Sequence, residues 1–433
     1  MLKSILKPLA ALAVAGTLAA PILAQGPLVS QDRLIGWTDP LGSSGATPGS
    51  VDWQDAVKCP TATKVCTNVL NRAVVNTIRY AGGTAYDPRV QAVWVSEGLI
   101  LQLRKVRGCK VLCKFKARLI NPKAGRVTGL AHSDAKPRLF QLESAPGYYG
   151  VVTYAHKAPC KLQAISKCLY KLPPKWTAAG LAYDETSDNL FVSVYDPAND
   201  QNYVYTAPAS SPCKPVCKWA IPKKCPQNFN KSNQVFGLAY SACRKELYAT
   251  YGSHASFTAV IYVFNPKCKF QFRRCCRKGN KGVYKGLAFV PGWKASIRGK
   301  SCTSAPCPNC PVITAGVGGG DSSLGNTAFS LTLSGAPAGG LGVPVLSLGP
   351  CTNGIPLFCG RFYPNFGALL ILGPATPITG AGCNGSASRP VPLPNIPGLC
   401  GKSMCTQWAV FCITGAGFGI GLSRAYEFTV ASS

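Results

Sequence analysis

Acidic side chains are scarce in this chain. Of 433 residues, 16 are Asp or Glu, against 46 Lys or Arg; there are also only three histidines and two methionines. No Gly-x-Ser-x-Gly elbow, His-Glu-x-x-His pair or phosphate-binding loop occurs, which sets aside the chemistries those motifs carry. His132, His156 and His254 have no metal-ligand spacing, and His132 reads as a packing residue. Beyond the N-terminal segment no apolar run reaches the ~20 residues of a membrane helix. Charged residues are only 14 % of the chain, while 45 Gly and 35 Pro are present. That balance suits a turn-rich all-β protein better than a helical one.

The N-terminus reads as a targeting segment. Lys3 and Lys7 precede an apolar, Ala-rich stretch over residues 9–23, and cleavage after Ala24 is expected. Residues 1–24 are therefore read as a signal peptide and 25–50 as a polar leader. The 22 cysteines fit the same compartment, since an even count in an exported chain implies disulfides. The expected location is secreted, extracellular or at the cell surface.

A repeat organises the next 250 residues. Gly180-Leu181-Ala182-Tyr183-Asp184 is followed six residues later by Leu190-Phe191-Val192-Ser193. Gly82-Gly83-Thr84-Ala85-Tyr86-Asp87, Gly129-Leu130-Ala131-His132 and Gly237-Leu238-Ala239-Tyr240 have similar continuations. Gly286-Leu287-Ala288-Phe289 is a fifth copy with a weaker one. The anchors Gly83, Gly129, Gly180, Gly237 and Gly286 are spaced 46, 51, 57 and 49 apart. Repeats of this length made of short strands indicate a β-propeller. The third copy predicts strands at 179–183, 189–195 and 203–207, with a fourth starting at Lys218. Gly and Ala suit the crowded innermost strand, and the aromatics of the next strands suit the space between blades.

Cysteine pairs recur with the same period. Cys59 with Cys66, Cys109 with Cys113, Cys160 with Cys168, Cys213 with Cys217, and Cys268 with Cys275 or Cys276 have first members spaced 50, 51, 53 and 55 apart. Each pair is expected to staple its own outer hairpin, and Cys225 is expected to pair with Cys243. The first pair has no anchor before it, and the last anchor has no pair after it. The phase resolves if residues near 51–75 supply the outer strands of the last blade, giving five blades. A linear array, or six blades with one degenerate, is the alternative. The propeller is read over 51–300 and a Cys/Pro/Gly-rich linker over 301–322. Cys302, Cys307 and Cys310 with the leftover Cys275 or Cys276 are expected to form two bridges. Residues 323–433 read as a small β-sandwich with strands near 329–333, 343–348, 368–372, 407–413 and 426–430. Within it Cys351, Cys359, Cys383, Cys400, Cys405 and Cys412 allow three bridges.

The copies resemble the blades of secreted NHL/YVTN-like propellers, Tyr86-Asp87-Pro88 and Tyr183-Asp184 most closely. The resemblance spans residues 51–295 and implies a fold rather than an activity. Such propellers mostly bind proteins or glycans, and a minority are lactonases, lyases or phosphatases. The stretch from Gly325-Asn326-Thr327 to Ser423-Arg424-Ala425, with Leu393-Pro394-Asn395-Ile396-Pro397 and Gln407-Trp408, resembles a β-rich module that ends many exported bacterial proteins. That resemblance implies surface retention or sorting. The sialidase Asp-box is absent, and no inward set of Glu, Asp and Asn stands out as a lactonase-like metal site.

Charge gives the functional expectation. Residues 25–310 carry 40 basic and 14 acidic side chains, whereas Arg361, Arg389, Lys402 and Arg424 face only Asp321 and Glu427 further on. An excess of this size attracts polyanions. The candidate binding residues are Arg104, Lys105, Arg107, Lys110, Lys114 and Lys116, then Lys218 and Lys223, then Lys269, Arg273, Arg274, Arg277 and Lys278. They follow the outer strands and turns and are expected to converge on one rim. Tyr170, Trp176 and Trp219 beside them suit stacking or blade core. Asp196, Asn199, Asp200 and Asn202 offer oxygen ligands for structural calcium, although a plain turn is the better explanation of them. No catalytic residue, cofactor or metal is assigned. The expected protein is a non-catalytic extracellular binding protein for acidic polysaccharide, another polyanion or a surface protein. A lactonase-like hydrolase or lyase and a structural envelope component are the alternatives.

Overall fold

The computed structural model describes residues 33–39, 50–55 and 63–66, then 82–431 apart from 107–108, 124, 134, 159, 226–233, 252–256, 266–268, 278–282, 291, 293–294 and 415–416. The signal segment, His254, Cys59, Cys268, Arg107 and Lys278 lie outside the described residues.

Five antiparallel four-stranded sheets form a β-propeller. Near the N-terminus lie β1 (Arg33–Asp39), β2 (Ser50–Asp55) and β3 (Thr63–Cys66). Blade one is β4 (Thr84–Asp87), β5 (Ala92–Glu97), β6 (Ile100–Lys105) and β7 (Val111–Lys116), from inside outward. Blade two follows as β8 (Arg126–Ser133), β9 (Arg138–Ala145), β10 (Tyr148–Ala158) and β11 (Lys161–Lys171). Blade three is β12 (Thr177–Asp184), β13 (Asn189–Asp196), β14 (Gln201–Pro208) and β15 (Cys217–Ala220). Blade four is β16 (Val235–Ser241), β17 (Glu246–Tyr251), β18 (Phe257–Asn265) and β19 (Lys269–Arg277). The last anchor forms β20 (Val283–Val290), the inner strand of blade five, and β1, β2 and β3 complete that blade.

The ring thus closes with N-terminal strands, which removes an open sheet edge. The strand beside β20 begins at Arg33, inside the stretch read as leader. Leu34 and Ile35 pair with Phe289 and Ala288 and are buried. Flanking Gly, Pro and Ser mask this short apolar segment in composition. The fifth repeat has a weak continuation because its outer strands come from the other end of the domain.

The apolar cores lie between blades. Trp94, Phe140, Phe191 and Tyr248 occupy the second strands of blades one to four and are fully buried. The repeat's glycine has its cause in the inner strands. A Cβ on Gly129 would meet Leu181 at 2.8 Å, one on Gly180 would meet the Leu238 amide at 2.8 Å, and one on Gly237 the Leu287 amide at 2.9 Å. Inner strands approach closely enough that no side chain fits at this level. Each of these three strands also slips register at the glycine, between Val127 and Gly129, Ala178 and Leu181, and Val235 and Gly237.

The disulfides differ from the hairpin staples expected. Cys113 bonds Cys160, Cys168 bonds Cys213 and Cys225 bonds Cys275. Each joins one blade to the next, so together they run along the perimeter from blade one to blade four. Strand register explains the difference. Cys113 lies opposite Leu103, and Cys168 opposite Val151, so neither faces a cysteine across its own hairpin. Cys109 and Cys276 are also disulfide-bonded, and Cys217 is buried at the start of β15.

The segment read as a linker belongs to the C-terminal domain. Ala295–Arg298 pairs with Ala425–Thr429, and Thr314–Gly318 pairs with Ser330–Ala336. The bridges Cys302–Cys359, Cys307–Cys412 and Cys310–Cys383 tie it in, leaving Cys351–Cys405 as the one bridge formed wholly within the later cysteines. The two larger sheets of this domain share one core around Leu331, Leu333, Leu346, Trp408, Val410 and Phe428. Strands form at each of the five places expected after residue 323.

Candidate functional site

The basic residues do not gather on one rim. Lys114 and Lys116 lie exposed on β7, Lys218 on β15, and Lys269 and Arg273 on β19, each the outermost strand of its blade. Lys105, Lys110 and Lys223 are exposed in neighbouring strands and turns. Lys161, Lys167 and Lys171 on β11, outside the sequence-based set, extend the pattern to blade two. The result is a belt around the circumference of blades one to four. Blades one and four are separated by blade five on the short way round, so their lysines form no single patch. An outermost strand is also an unpaired edge, and lysine there discourages edge-to-edge pairing with another chain.

Several members of the set are already engaged. Arg104 donates from Nε to Gln102 Oε1 at 2.8 Å and from Nη1 to the Cys109 carbonyl at 3.2 Å. Lys218 Nζ lies 3.9 Å from the Tyr203 ring centre and 4.7 Å from that of Trp176, and these two rings stack at 5.3 Å. Arg273 lies 4.5 Å from the Tyr262 ring centre. Lys223 pairs with Asp200 at 3.4 Å, Arg274 is half-buried, and Arg277 ends β19. Tyr170 stacks on Tyr149, and Trp219 on Phe270, as blade core. In the group considered for calcium, Asp196 Oδ1 accepts from the Ala198 amide, and its Oδ2 from Asn199 Nδ2. Asn202 Oδ1 accepts from the Val235 amide, and Asp200 Oδ1 from the Tyr195 hydroxyl. These oxygens hold turns and strands together.

The channel is narrow, and its mouth is covered. The inner strands enclose a cavity of about 60 Å³ lined by Leu130, Leu181, Leu238 and Leu287, the alanines that follow them, and a mouth ring of Tyr86, His132, Tyr183, Tyr240 and Phe289. Tyrosines of the ring sit against the preceding blade: Tyr240 hydrogen-bonds Asp184, while Tyr183, beside Ser133, donates its hydroxyl to Asp188 of its own blade at 2.7 Å. At the corresponding place blade five has Val290, which offers no polar group. The C-terminal domain supplies it instead. Tyr86 donates to Asp321 Oδ2 at 2.8 Å, and the Asp321 amide donates to the Pro88 carbonyl at 3.2 Å. Gly320 lies against the same turn, where a Cβ would meet the Pro88 carbonyl at 2.3 Å. Asn395 donates to the Glu185 carbonyl of blade three, and Cys243 of blade four bonds Cys400. The C-terminal domain is therefore seated on this face of the propeller.

Beneath the cap lies a cluster that the histidine spacing does not reveal. Asp87 ends β4, His132 sits near the end of β8, and His156 lies late in β10. Arg89 in the β4–β5 turn joins them. Its Nε donates to Asp87 Oδ1 and its Nη2 to Asp87 Oδ2, both at 3.0 Å, while Nη1 donates to the His156 carbonyl at 3.4 Å. Nη2 also lies 3.1 Å from His132 Nε2 and 2.5 Å from His156 Nδ1. The side chains of Asp87 and His156 are wholly buried, His132 is 1 % exposed and Arg89 11 %. Burial by itself would raise the Asp87 carboxyl, but the charges of His132 and Arg89 and the Arg89 hydrogen bond hold it below the usual range. Burial, reinforced by His132, pushes His156 down to about 3, so it is neutral at ordinary pH. The one available signal is phase. His132 replaces the repeat's tyrosine, whose place in this ring lies against the residue that ends the preceding blade's inner strand, and for His132 that residue is Asp87.

No family model matches the chain, and no curated protein matches it in sequence. Among solved structures it is similar to the hydrazine synthase of Kuenenia stuttgartiensis, at 10 % identity, TM-score 0.32, covering 66 % of this chain and 67 % of that one. It is also similar to the RRP9 WD40 repeats, at 8 % identity, TM-score 0.32, covering 61 % and 89 %. A third is the Myceliophteria thermophila Cps50 (Swd1) β-propeller domain, at 12 % identity, TM-score 0.30, covering 61 % and 91 %. The architecture rests on the strand pairings of this chain, and no activity follows from these likenesses.

Proposed function

We propose that the protein is an extracellular or cell-surface binding protein, a disulfide-linked propeller of the NHL/YVTN-like kind, whose basic perimeter holds anionic polymers. The supporting observation is that exposed Lys and Arg occupy the outermost strands of four consecutive blades. A linear acidic polysaccharide matches a belt better than a compact ligand does, because it contacts successive blades while keeping its own charges apart. The eight disulfides among the described residues are consistent with an oxidising compartment.

The channel favours binding over hydrolysis. Glu185 is the one carboxylate among the described residues lining it, and its Oε1 is taken by the Ser133 hydroxyl and the Ala135 amide. With the C-terminal domain on its mouth, the channel has no wide entry there. The test is retention of the full chain on a sulfated or uronic-acid matrix. Elution is expected between low and high salt, and earlier for a Lys114→Gln, Lys116→Gln, Lys161→Gln, Lys167→Gln variant. Retention that ignores both salt and these changes would exclude the electrostatic reading.

A further inference from the structure

The Asp87 cluster has the dimensions of a metal site. The three donor atoms are separated by 3.1 Å (His132 Nε2 to His156 Nδ1), 3.5 Å (His156 Nδ1 to Asp87 Oδ2) and 3.7 Å (His132 Nε2 to Asp87 Oδ2). Zinc binds nitrogen and oxygen at roughly 2.0–2.2 Å, which places tetrahedral ligand atoms about 3.3–3.6 Å apart. The three observed edges bracket that range, and all three atoms lie within 4.8 Å of one another. The donors come from β4, β8 and β10, so the rigid propeller framework fixes their spacing. What fills the position facing all three is the Nη2 of Arg89, at 3.0, 3.1 and 2.5 Å.

The geometry points to a divalent transition-metal site built from Asp87, His132 and His156, with Arg89 as the cation that occupies it when metal is absent. Two imidazoles and one carboxylate suit Zn²⁺, Co²⁺ or Ni²⁺ and disfavour Ca²⁺ or Mg²⁺, which prefer all-oxygen sets. Metal and guanidinium exclude one another. A dication within ~2.1 Å of the three donors stands too close to a cationic nitrogen that is itself near all three. Binding therefore requires Arg89 to release Asp87 and swing outward, and the metal takes over the carboxylate. Each state leaves the buried carboxylate with one cation, so neither strands a charge. Arg89 borders the Gly320 turn of the cap, so its outward path runs along the interface between propeller and cap.

The experiment is Co²⁺ and Zn²⁺ titration of the full chain, freed of metal by chelator, followed calorimetrically and by the visible Co²⁺ spectrum. Wild type, Arg89→Ala and the similarly sized Arg89→Met are compared, each checked by circular dichroism. One equivalent is expected to bind the Arg89 variants at least tenfold more tightly than wild type. Wild type is expected to bind at millimolar Co²⁺, and His132→Ala, in either background, should abolish the signal. Folded Arg89 variants no tighter than wild type, binding that survives His132→Ala, or silence in wild type at millimolar metal would each overturn the assignment.

Discussion

At the residue scale, the inner strands carry two kinds of information. The glycine records a close approach between neighbouring blades, since no Cβ fits at Gly129, Gly180 or Gly237. The ring residue three positions later records the channel mouth, where Tyr240 and His132 meet the preceding blade at Asp184 and Asp87. Buried tyrosines also give the protein an alkaline limit. Burial, with repulsion from Tyr170 and Tyr203, raises Tyr205 to about 12, and burial with the Asp200 hydrogen bond raises Tyr195 to about 12. A tyrosine raised when folded above its unfolded value near 10 stabilises the fold fully below pH 10 and loses that contribution as pH climbs to 12. At 295 nm the buried tyrosines, Tyr195 and Tyr205 among them, are therefore expected to give a late ionisation step above pH 10 that coincides with loss of near-ultraviolet dichroism. Complete ionisation of every tyrosine near pH 10 with the fold intact would contradict this.

At the scale of the element, the outer strands and their turns carry the covalent links between blades. Cysteines on β11 and β19, and in the turns beside β15, link blade to blade. The Cys168–Cys213 bond closes a loop with a sequence separation of 45, far longer than the four to eight residues of a hairpin staple. In the chain-entropy model that longer loop constrains the unfolded chain more. Replacing both cysteines by serine is expected to cost about 2–4 kcal/mol in denaturant unfolding, with blades two and three losing hydrogen-exchange protection first. A cost under about 1 kcal/mol would mean the blade interface holds without the bond.

At the scale of the whole molecule, the C-terminal domain is an integral part of the propeller face. Its Asp321 fills the place where blade five has Val290, and Cys243–Cys400 fixes the docking covalently. Asp321→Ala leaves the Tyr86 hydroxyl without this acceptor, at a cost of about 1–3 kcal/mol. Combined with Cys243→Ser and Cys400→Ser, it is expected to raise hydrogen exchange in residues 319–326 and 84–88 while β7 and β11 stay protected. Unchanged exchange in both segments would show that other contacts suffice to seat the domain.

The fold was legible in the sequence because it depends on local, periodic demands. A glycine at each close approach, an aromatic on each second strand and a cysteine pair on each outer edge recur with one spacing, and five anchors give five inner strands. The phase of the cysteines even indicated that the N-terminus closes the ring. Arg33–Asp39 carries no strand signal in its own composition, and pairing with β20 makes it a strand. Which cysteines bond, where the lysines point and what covers the channel depend on neighbours 45 to 157 residues away, as for Cys168–Cys213 and Cys243–Cys400. Asp87, Arg89, His132 and His156 show the same division. Their residue types and their places in the repeat are plain in the sequence. Only the packing of blade one against blade two brings the four side chains to one point, because a through-space distance between blades leaves no period in the sequence.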